Sequence, residues 1–415
     1  MKLMNARGVR DFSPEEKIVR QEIVDTLRET FEEFGFNPLE TPAIERFDVL
    51  ASKYAGGEEI LKEIFTFKDQ GNRDLCLRYD LTVPFARFVG MNPNLKMPFK
   101  RYQIGRVYRD GPIKLGRYRE FWQCDIDVVG TKSMLADAEL LAIASKVFKK
   151  LNLKVVIKVN NRKILDGILE DAGVNKNKWI DTILSIDKLE KQGKAEVKKE
   201  LGQKGLTDSV VNKIFKLIDY KNLKLKSDIG NVGLGEIKEL KNYLKAFKVK
   251  IDFDPSLARG LAYYTGPVFE VFLQKSDIKS AIAGGGRYDD MIGNFVGNKE
   301  MPATGISFGL EVITDAIKKS DKKSVADIYI IPIKTEKECI AIAEELRAQG
   351  IKAEMDIAGK SISKNLDYAN ALGIPYVLFA GQKELDQKKV KLRDMKTGKE
   401  KLLSTKSIKT SVNPR

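Results

Sequence analysis

Three stretches of this sequence hold side chains whose types and spacing can do chemistry. From Tyr118 to Val129 the residues alternate with period two. Arg119, Phe121, Gln123, Asp125 and Asp127 share one face; Glu120, Trp122, Cys124, Ile126 and Val128 share the other, mostly apolar one. A row of amide and carboxylate oxygens can accept hydrogen bonds from a cationic, N–H-rich ligand. It can equally be the wetted side of an ordinary amphipathic hairpin, although Gln and Asp replace the usual exposed Lys and Glu. The second stretch runs from Ser256 to Pro267 and sets Arg259 beside Gly260, Tyr263, Tyr264 and Gly266. An arginine keeps its charge near neutral pH and can hold an anion. The bland reading is a turn with tyrosines packed at its base. The third is Gly284-Gly285-Gly286-Arg287-Tyr288-Asp289-Asp290. Glycines let backbone approach a phosphate, but alone this run reads more simply as a tight turn between strands.

Composition narrows the chemistry. The 415 residues include no histidine, which removes Ser-His-Asp triads, H-E-x-x-H zinc sites and imidazole general bases. Catalysis must then use carboxylates, arginines, bound metal or the substrate itself. The formal net charge is +15; this fits a polyanionic partner such as nucleic acid, or a lysine-rich solvated surface. The three cysteines, Cys76, Cys124 and Cys339, are far apart and form neither a metal nor a disulfide pattern. No apolar run approaches the ~20 residues of a membrane helix, and the N-terminus has no apolar signal segment. A soluble, cytoplasmic protein is the expectation.

The elements that must position these residues can be read in order. Ser13-Pro14-Glu15-Glu16 is a capping box with proline at the first helical position, and an apolar stripe from Ile18 to Phe34 follows at helical spacing. From Leu75 to Val129 the alternation is strand-like, with Phe99–Arg109 and Tyr118–Val129 joined by a basic, glycine-containing loop as a long hairpin. A second helix is predicted from Ser133 to Leu151. Residues 163–248 are lysine-rich, helical in texture and without a readable motif, and strand-like signals resume after Ile251. Beyond the charged linker Lys318–Lys323, strands at Ala326–Ile333, Ile351–Ile357 and Ile374–Ala380 alternate with helices at Thr335–Gln349 and Ser361–Leu372, as in a small α/β domain.

On these residues the chain resembles the histidyl-tRNA synthetases, a family of class II aminoacyl-tRNA synthetases. The hairpin is similar to their motif 2, with Arg109 as its first arginine. Leu77-Arg78-Tyr79-Asp80-Leu81-Thr82-Val83-Pro84 is similar to their histidine-pocket strand. The segment around Arg259 resembles their R-G-L-D-Y-Y-T-G signature, Gly284–Asp289 matches G-G-G-R-Y-D, and Gly305–Glu311 resembles motif 3. The resemblance implies an α+β fold: an antiparallel sheet flanked by helices, a helical insertion and a C-terminal α/β anticodon-binding domain. The corresponding boundaries are 1–162 and 249–320 for the catalytic domain, 163–248 for the insertion and 324–415 for the last domain. Pro42 falls where the motif 1 proline of a homodimer interface would be.

By the same resemblance, Asp80, Leu81, Thr82 and Gln123 belong to the histidine site, the acid and its polar neighbours holding the α-amino group. Asp127 and Tyr264 read the imidazole nitrogens, and Tyr263 lines the pocket. Arg109 and Arg259 are the catalytic pair, binding carboxylate and α-phosphate, and Arg117 reaches the outer phosphates of ATP. The implied reaction uses ATP with Mg2+, passes through histidyl-adenylate and charges tRNA(His). The sequence departs from the pattern at Ala262, where the family has aspartate, and at Val312, where it has the motif 3 arginine. In motif 2, Arg109-Asp110-Gly111 lacks the usual acid two residues after the arginine. Two other readings are a catalytically inactive regulatory subunit of ATP phosphoribosyltransferase, favoured by Val312, and a basic RNA-binding protein, which explains the charge alone.

Overall fold

The computed structural model of the chain describes residues 3–51, 61–113, 118–219, 223–259, 263–295, 300–317 and 322–412. It divides into two compact units, Met1–Arg10 with Ile23–Ile317, and Asp11–Glu22 with Lys318–Arg415. The opening helix, Pro14–Glu33, begins at the expected capping box. The Ser13 N–H donates to Glu16 Oε2 at 2.9 Å and the Glu16 N–H to Ser13 Oγ at 3.3 Å, satisfying two otherwise orphaned donors.

The strands of the first unit are β1 (Asn37–Pro38), β2 (Ile44–Arg46), β3 (Thr66–Lys68), β4 (Asp74–Leu77), β5 (Phe99–Tyr108), β6 (Glu120–Val129), β7 (Val155–Asn161), β8 (Asp252–Phe253), β9 (Pro267–Leu273), β10 (Ala283–Arg287) and β11 (Ala303–Gly309). One sheet has the order β1-β5-β6-β11-β10-β9-β7-β8, and a smaller one the order β2-β4-β3. From β5 through β7 each strand of the large sheet runs antiparallel to its neighbours; the short edges β1 and β8 join in parallel. The period-two alternation of β6 sorts its side chains as expected. Cys124, Ile126 and Val128 are buried on the apolar face. Beside them Phe308 packs its ring 5.5 Å from Phe31 and 5.7 Å from Phe148. Fully burying each such aromatic contributes about 1.5–3 kcal/mol, so the helices Pro14–Glu33 and Met134–Lys150 that supply Phe31 and Phe148 are fixed against this face.

Two local readings of the sequence are corrected. The strand-like alternation between Leu75 and Phe99 is interrupted by a helix, Thr82–Met91. Its third residue, Pro84, sits in the first turn, where a missing N–H costs no hydrogen bond. Val83, Phe85, Ala86 and Val89 are its buried side. The segment similar to a pocket strand is therefore the end of β4, a connection carrying Asp80 and Leu81, and the start of this helix. The run Ala283–Arg287 is a strand inside the large sheet, not a turn.

Between β7 and β8 the described residues are helical, including Arg162–Ala172, Trp179–Ile186, Lys194–Gln203, Asp208–Ile218 and Asp228–Ala246. The first and last of these cross at Gly167 and Gly230. A Cβ on Gly167 would lie 2.5 Å from the Gly230 Cα, so only glycine admits this approach.

The second unit holds β12 (Ile328–Ile333), β13 (Ala353–Met355), β14 (Tyr376–Gly381), β15 (Val390–Asp394) and β16 (Glu400–Leu403), in the order β13-β12-β14-β15-β16. The three expected strands are parallel, and an antiparallel pair not foreseen from the sequence extends the sheet. Both faces are covered. Ile328 and Ile330 pack with Cys339, Ile342 and Leu346 of the helix Glu336–Ala348. Tyr329 and Ile331 pack with Ala369 of the helix Ile362–Ala371. Among the described residues no helix is long and apolar enough to cross a membrane.

Candidate active site

Strand register assembles the site. One row across the sheet reads Gln103, Asp125, Ser307, Gly284, Glu270 and Lys158; two residues along, the next reads Arg101, Asp127, Gly305, Gly286 and Val268. Side chains in these rows point to the same face. At Gly284, Gly286 and Gly305 there is none, which hollows the sheet. The space is needed. A Cβ on Gly305 would overlap the Asp127 carboxylate, one on Gly284 would overlap the Arg259 guanidinium, and one on Gly286 would lie 2.5 Å from the Pro267 carbonyl oxygen. The glycine run thus makes the floor of a cavity of about 430 Å³, within the usual size of a small-molecule site.

Asp80, Thr82, Arg109, Gln123, Asp127, Arg259, Tyr263 and Tyr264 line this cavity together, although they come from four separate parts of the chain. One described site residue, Leu81, does not line it. Leu81 is fully buried beneath, its carbonyl accepting from Arg101 Nη2 at 3.4 Å. Arg117 lies outside the described residues, as does Ala262. Asp125, Asp187, Tyr288 and Ser307, which sequence reasoning left without a role, also line the cavity.

The wall from β6 is rich in acceptors. Gln123 Oε1 and Asp125 Oδ1 are buried without a hydrogen-bond donor. Gln123 Nε2 donates to Ser307 Oγ at 3.2 Å, and the Ser307 hydroxyl in turn donates to the Asp125 carboxylate. Asp127 accepts a hydrogen bond from the Tyr288 hydroxyl, and its Oδ2 forms an ion pair with Nη2 of the buried Arg101 at 2.7 Å. Burial pushes the Asp125 carboxyl up to about 7; Arg101 opposes this and Asp127 and Asp80 reinforce it. Burial raises Asp127 as well, against the pull of Arg101 and Tyr288. A cation entering here would stabilise both ionised forms. Asp80 holds its own place by accepting from the Val83 N–H at 3.0 Å, in the first turn of the helix Thr82–Met91.

Two arginines complete the wall. Arg109 donates to the Tyr79 carbonyl at 3.3 Å and lies 4.2 Å over the Tyr79 ring and 4.9 Å over the Phe121 ring. Arg259 pairs with Glu270 at 3.2 Å and lies 5.5 Å over the Tyr264 ring. Burial works against the Arg259 cation, but Tyr264, Glu270, Tyr263 and Asp187 more than offset it, and its pKa rises. Tyr263 packs tilted against Tyr264 at 4.6 Å and meets Tyr288 edge-on at 6.0 Å. Arg287, from the glycine-rich segment, is not in the cavity; it pairs with the buried Asp137 and with Asp289, tying β10 to the helix Met134–Lys150. At the motif 3 position, Glu311 accepts from the Trp122 N–H at 3.1 Å, and Val312 follows it in the helix Leu310–Ala316. Among the described residues no group of three or more carboxylates or thiols could hold a metal ion.

Comparison with known proteins identifies the family. Residues 8–313 match the family model described as histidyl-tRNA synthetase, and residues 327–413 match that of an anticodon binding domain. A protein of Bacillus cereus named histidine--tRNA ligase 1 is 45% identical, over 99% of this chain and 97% of its own. One of Shouchella clausii, named histidine--tRNA ligase 2, is 43% identical over 95% and 97%. The crystal structure of histidyl-tRNA synthetase from a Nostoc species superposes with a TM-score of 0.88 at 29% identity, covering 99% of this chain and 100% of that one.

Proposed function

Since the chain belongs to the histidyl-tRNA synthetase family, we propose that the cavity on the large sheet is where histidine and ATP meet. The enzyme is an aminoacyl-tRNA ligase, a histidine--tRNA ligase, and ATP is its second substrate. The observation that carries the site assignment is the pair of buried acceptors without donors, Gln123 Oε1 and Asp125 Oδ1. Unpaired buried acceptors are costly, and histidine brings the matching donors, an ammonium group and ring N–H groups. The α-ammonium sits among Asp80, Thr82 and Gln123, and the imidazole between Asp127 and Tyr264. A pocket built this way rejects apolar side chains, because they leave its polar atoms unpaired.

Arg109 and Arg259 bracket the histidine carboxylate and the α-phosphate, so that two anions can approach each other. The carboxylate oxygen attacks the α-phosphorus in line, pyrophosphate leaves, and histidyl-adenylate forms. Positioning and charge neutralisation supply most of the acceleration in such transfers. The terminal ribose hydroxyl of tRNA then attacks the acyl carbon and AMP departs. With no histidine in the sequence, a phosphate oxygen of the adenylate takes the proton. Arg117 is assigned to the outer phosphates. Mg2+ is assigned to ATP's phosphates rather than to a protein cluster, and no step runs through it.

We assign tRNA(His) recognition to the anticodon-binding domain of residues 324–415, and a homodimer to the region around Pro42. Next to Pro42, register places Ile44, Leu75, Leu77 and Phe67 on one face of the small sheet, together with the exposed Arg46. Ile44 is 51% and Phe67 39% exposed there, a largely apolar face for a second copy. Sedimentation showing a stable monomer under assay conditions would refute the dimer. The regulatory-subunit reading is the weaker one, since the ligase-named relatives span nearly the whole chain. The function is tested by charging. The purified protein should attach labelled histidine to tRNA(His) in the presence of ATP, and failure with an authentic transcript would refute the assignment.

A further inference from the structure

The helical stretch between β7 and β8 holds no motif, yet it brings one carboxylate, Asp187, to the border of a cavity that Arg259 also lines. Asp187 follows the helix Trp179–Ile186, and its N–H donates to the Ile183 carbonyl at 2.9 Å. It lines the cavity on the sheet. It also lines a second cavity of about 630 Å³ on the other side of Arg259, walled by Ile186, Leu189, Glu190 and Lys191 of the insertion. Asp187 and Arg259 are thus a common border of both cavities, and the Asp187 carboxylate is among the groups that stabilise the Arg259 cation.

The turn carrying Asp187 is held from behind. Glu200, on the helix Lys194–Gln203, accepts from Ser185 Oγ at 2.9 Å and Lys188 Nζ at 2.8 Å, and pairs with Lys204 at 3.0 Å. Two of those partners flank Asp187 in the chain. On the other side, Glu190 meets Lys158 of β7 at 3.4 Å, which ties the same turn to the catalytic sheet. Arg259 therefore has two carboxylates around it, Glu270 from the sheet and Asp187 from the insertion. Glu270 holds the guanidinium directly, whereas Asp187 makes no ion pair with it and acts from the insertion's side through the field of its charge.

We infer that Asp187 is a positioning residue: through it the helical insertion aims Arg259 at the reacting groups, so that the placement of the insertion sets the rate of adenylate formation. The inference rests on the synthetase reading of the site. Its consequence is that the insertion, in addition to anything it binds, acts on the first chemical step without touching histidine.

The test is histidine-dependent pyrophosphate exchange by the full-length enzyme and its variants, each checked for folding by thermal melt. Asp187→Asn and Asp187→Ala should lower kcat roughly ten- to a hundredfold, the scale of misplacing a catalytic group, while the histidine KM stays within about twofold. Asp187→Glu should recover part of the rate. Glu200→Gln, outside both cavities, should lower kcat in the same sense, and less than additively when combined with Asp187→Asn. Unchanged kcat in both Asp187 variants, or a raised histidine KM with kcat intact, would overturn the inference alone. No exchange by the unmodified enzyme would overturn both the inference and the synthetase reading beneath it.

Discussion

The most informative perturbation of the pocket is Asp125→Asn, which keeps the shape of the side chain and removes its charge. Burial sets this carboxyl at about 7 in the folded protein, against an ordinary 3.8. At about 1.36 kcal/mol per decade, that gap corresponds to roughly 4 kcal/mol. The sign follows from proton linkage. Between the two values the folded state binds the proton more tightly than the unfolded chain, so the ligand-free enzyme loses stability as pH rises from 4 to 7. The asparagine variant lacks this loss. Relative to it, the wild type should become less stable by up to about 4 kcal/mol across that range, with most of the divergence present by pH 7. Histidine binding should show the mirror image. If the ligand's ammonium favours ionised Asp125, wild-type affinity rises by up to about tenfold per pH unit below 7 and then levels off. The imidazole of the ligand titrates equally with both proteins, so their difference isolates Asp125. Thermal melts and histidine titration calorimetry from pH 5 to 8 measure both effects. Parallel curves for wild type and variant in both experiments would refute the placement of a strained carboxyl in the ligand's path.

Three further substitutions probe the remaining walls. Arg259→Ala should slow single-turnover adenylate formation at least about a hundredfold, the scale of losing one preorganised charge-stabilising group, while histidine affinity changes far less; the reverse pattern would move Arg259 to the amino-acid subsite. Asp127→Ala should erase much of the selectivity for histidine over apolar analogues in pyrophosphate exchange, and unchanged selectivity would remove it from the imidazole contact. Val312→Arg restores a cation where the family places one on adenine. A gain of about 0.5–2 kcal/mol in ATP affinity is the expected size of a cation–π contact, and no gain would mean that adenine is already covered.

What the sequence disclosed and what it hid divide along physical lines. The β5–β6 hairpin was legible because period-two alternation persists over the full strand, and the opening helix because its cap is local chemistry. The order of the first strands and helices in the second unit was legible for the same reason. The glycine-rich segment misled because glycine there answers to Arg259, Tyr264 and the Gly305 backbone across the sheet, not to a bend in its own backbone. The helix Thr82–Met91 was hidden by Thr, Val and Phe, whose strand preference its packing overrides. Asp125 was visible as part of a polar face, but only the sheet register sets it opposite Ser307. Asp187 carried no local signal at all, because its significance lies in Arg259, over seventy residues later in the chain. The β15–β16 pair is short and polar on its exposed side, so its strands escape alternation analysis.

The central claim, that this cavity selects histidine and activates it with ATP, is tested most directly by pyrophosphate exchange with each amino acid in turn and no tRNA present. The account predicts exchange with histidine alone, lost in Arg259→Ala. Exchange with none, or equally with an amino acid lacking ring nitrogens, would contradict it.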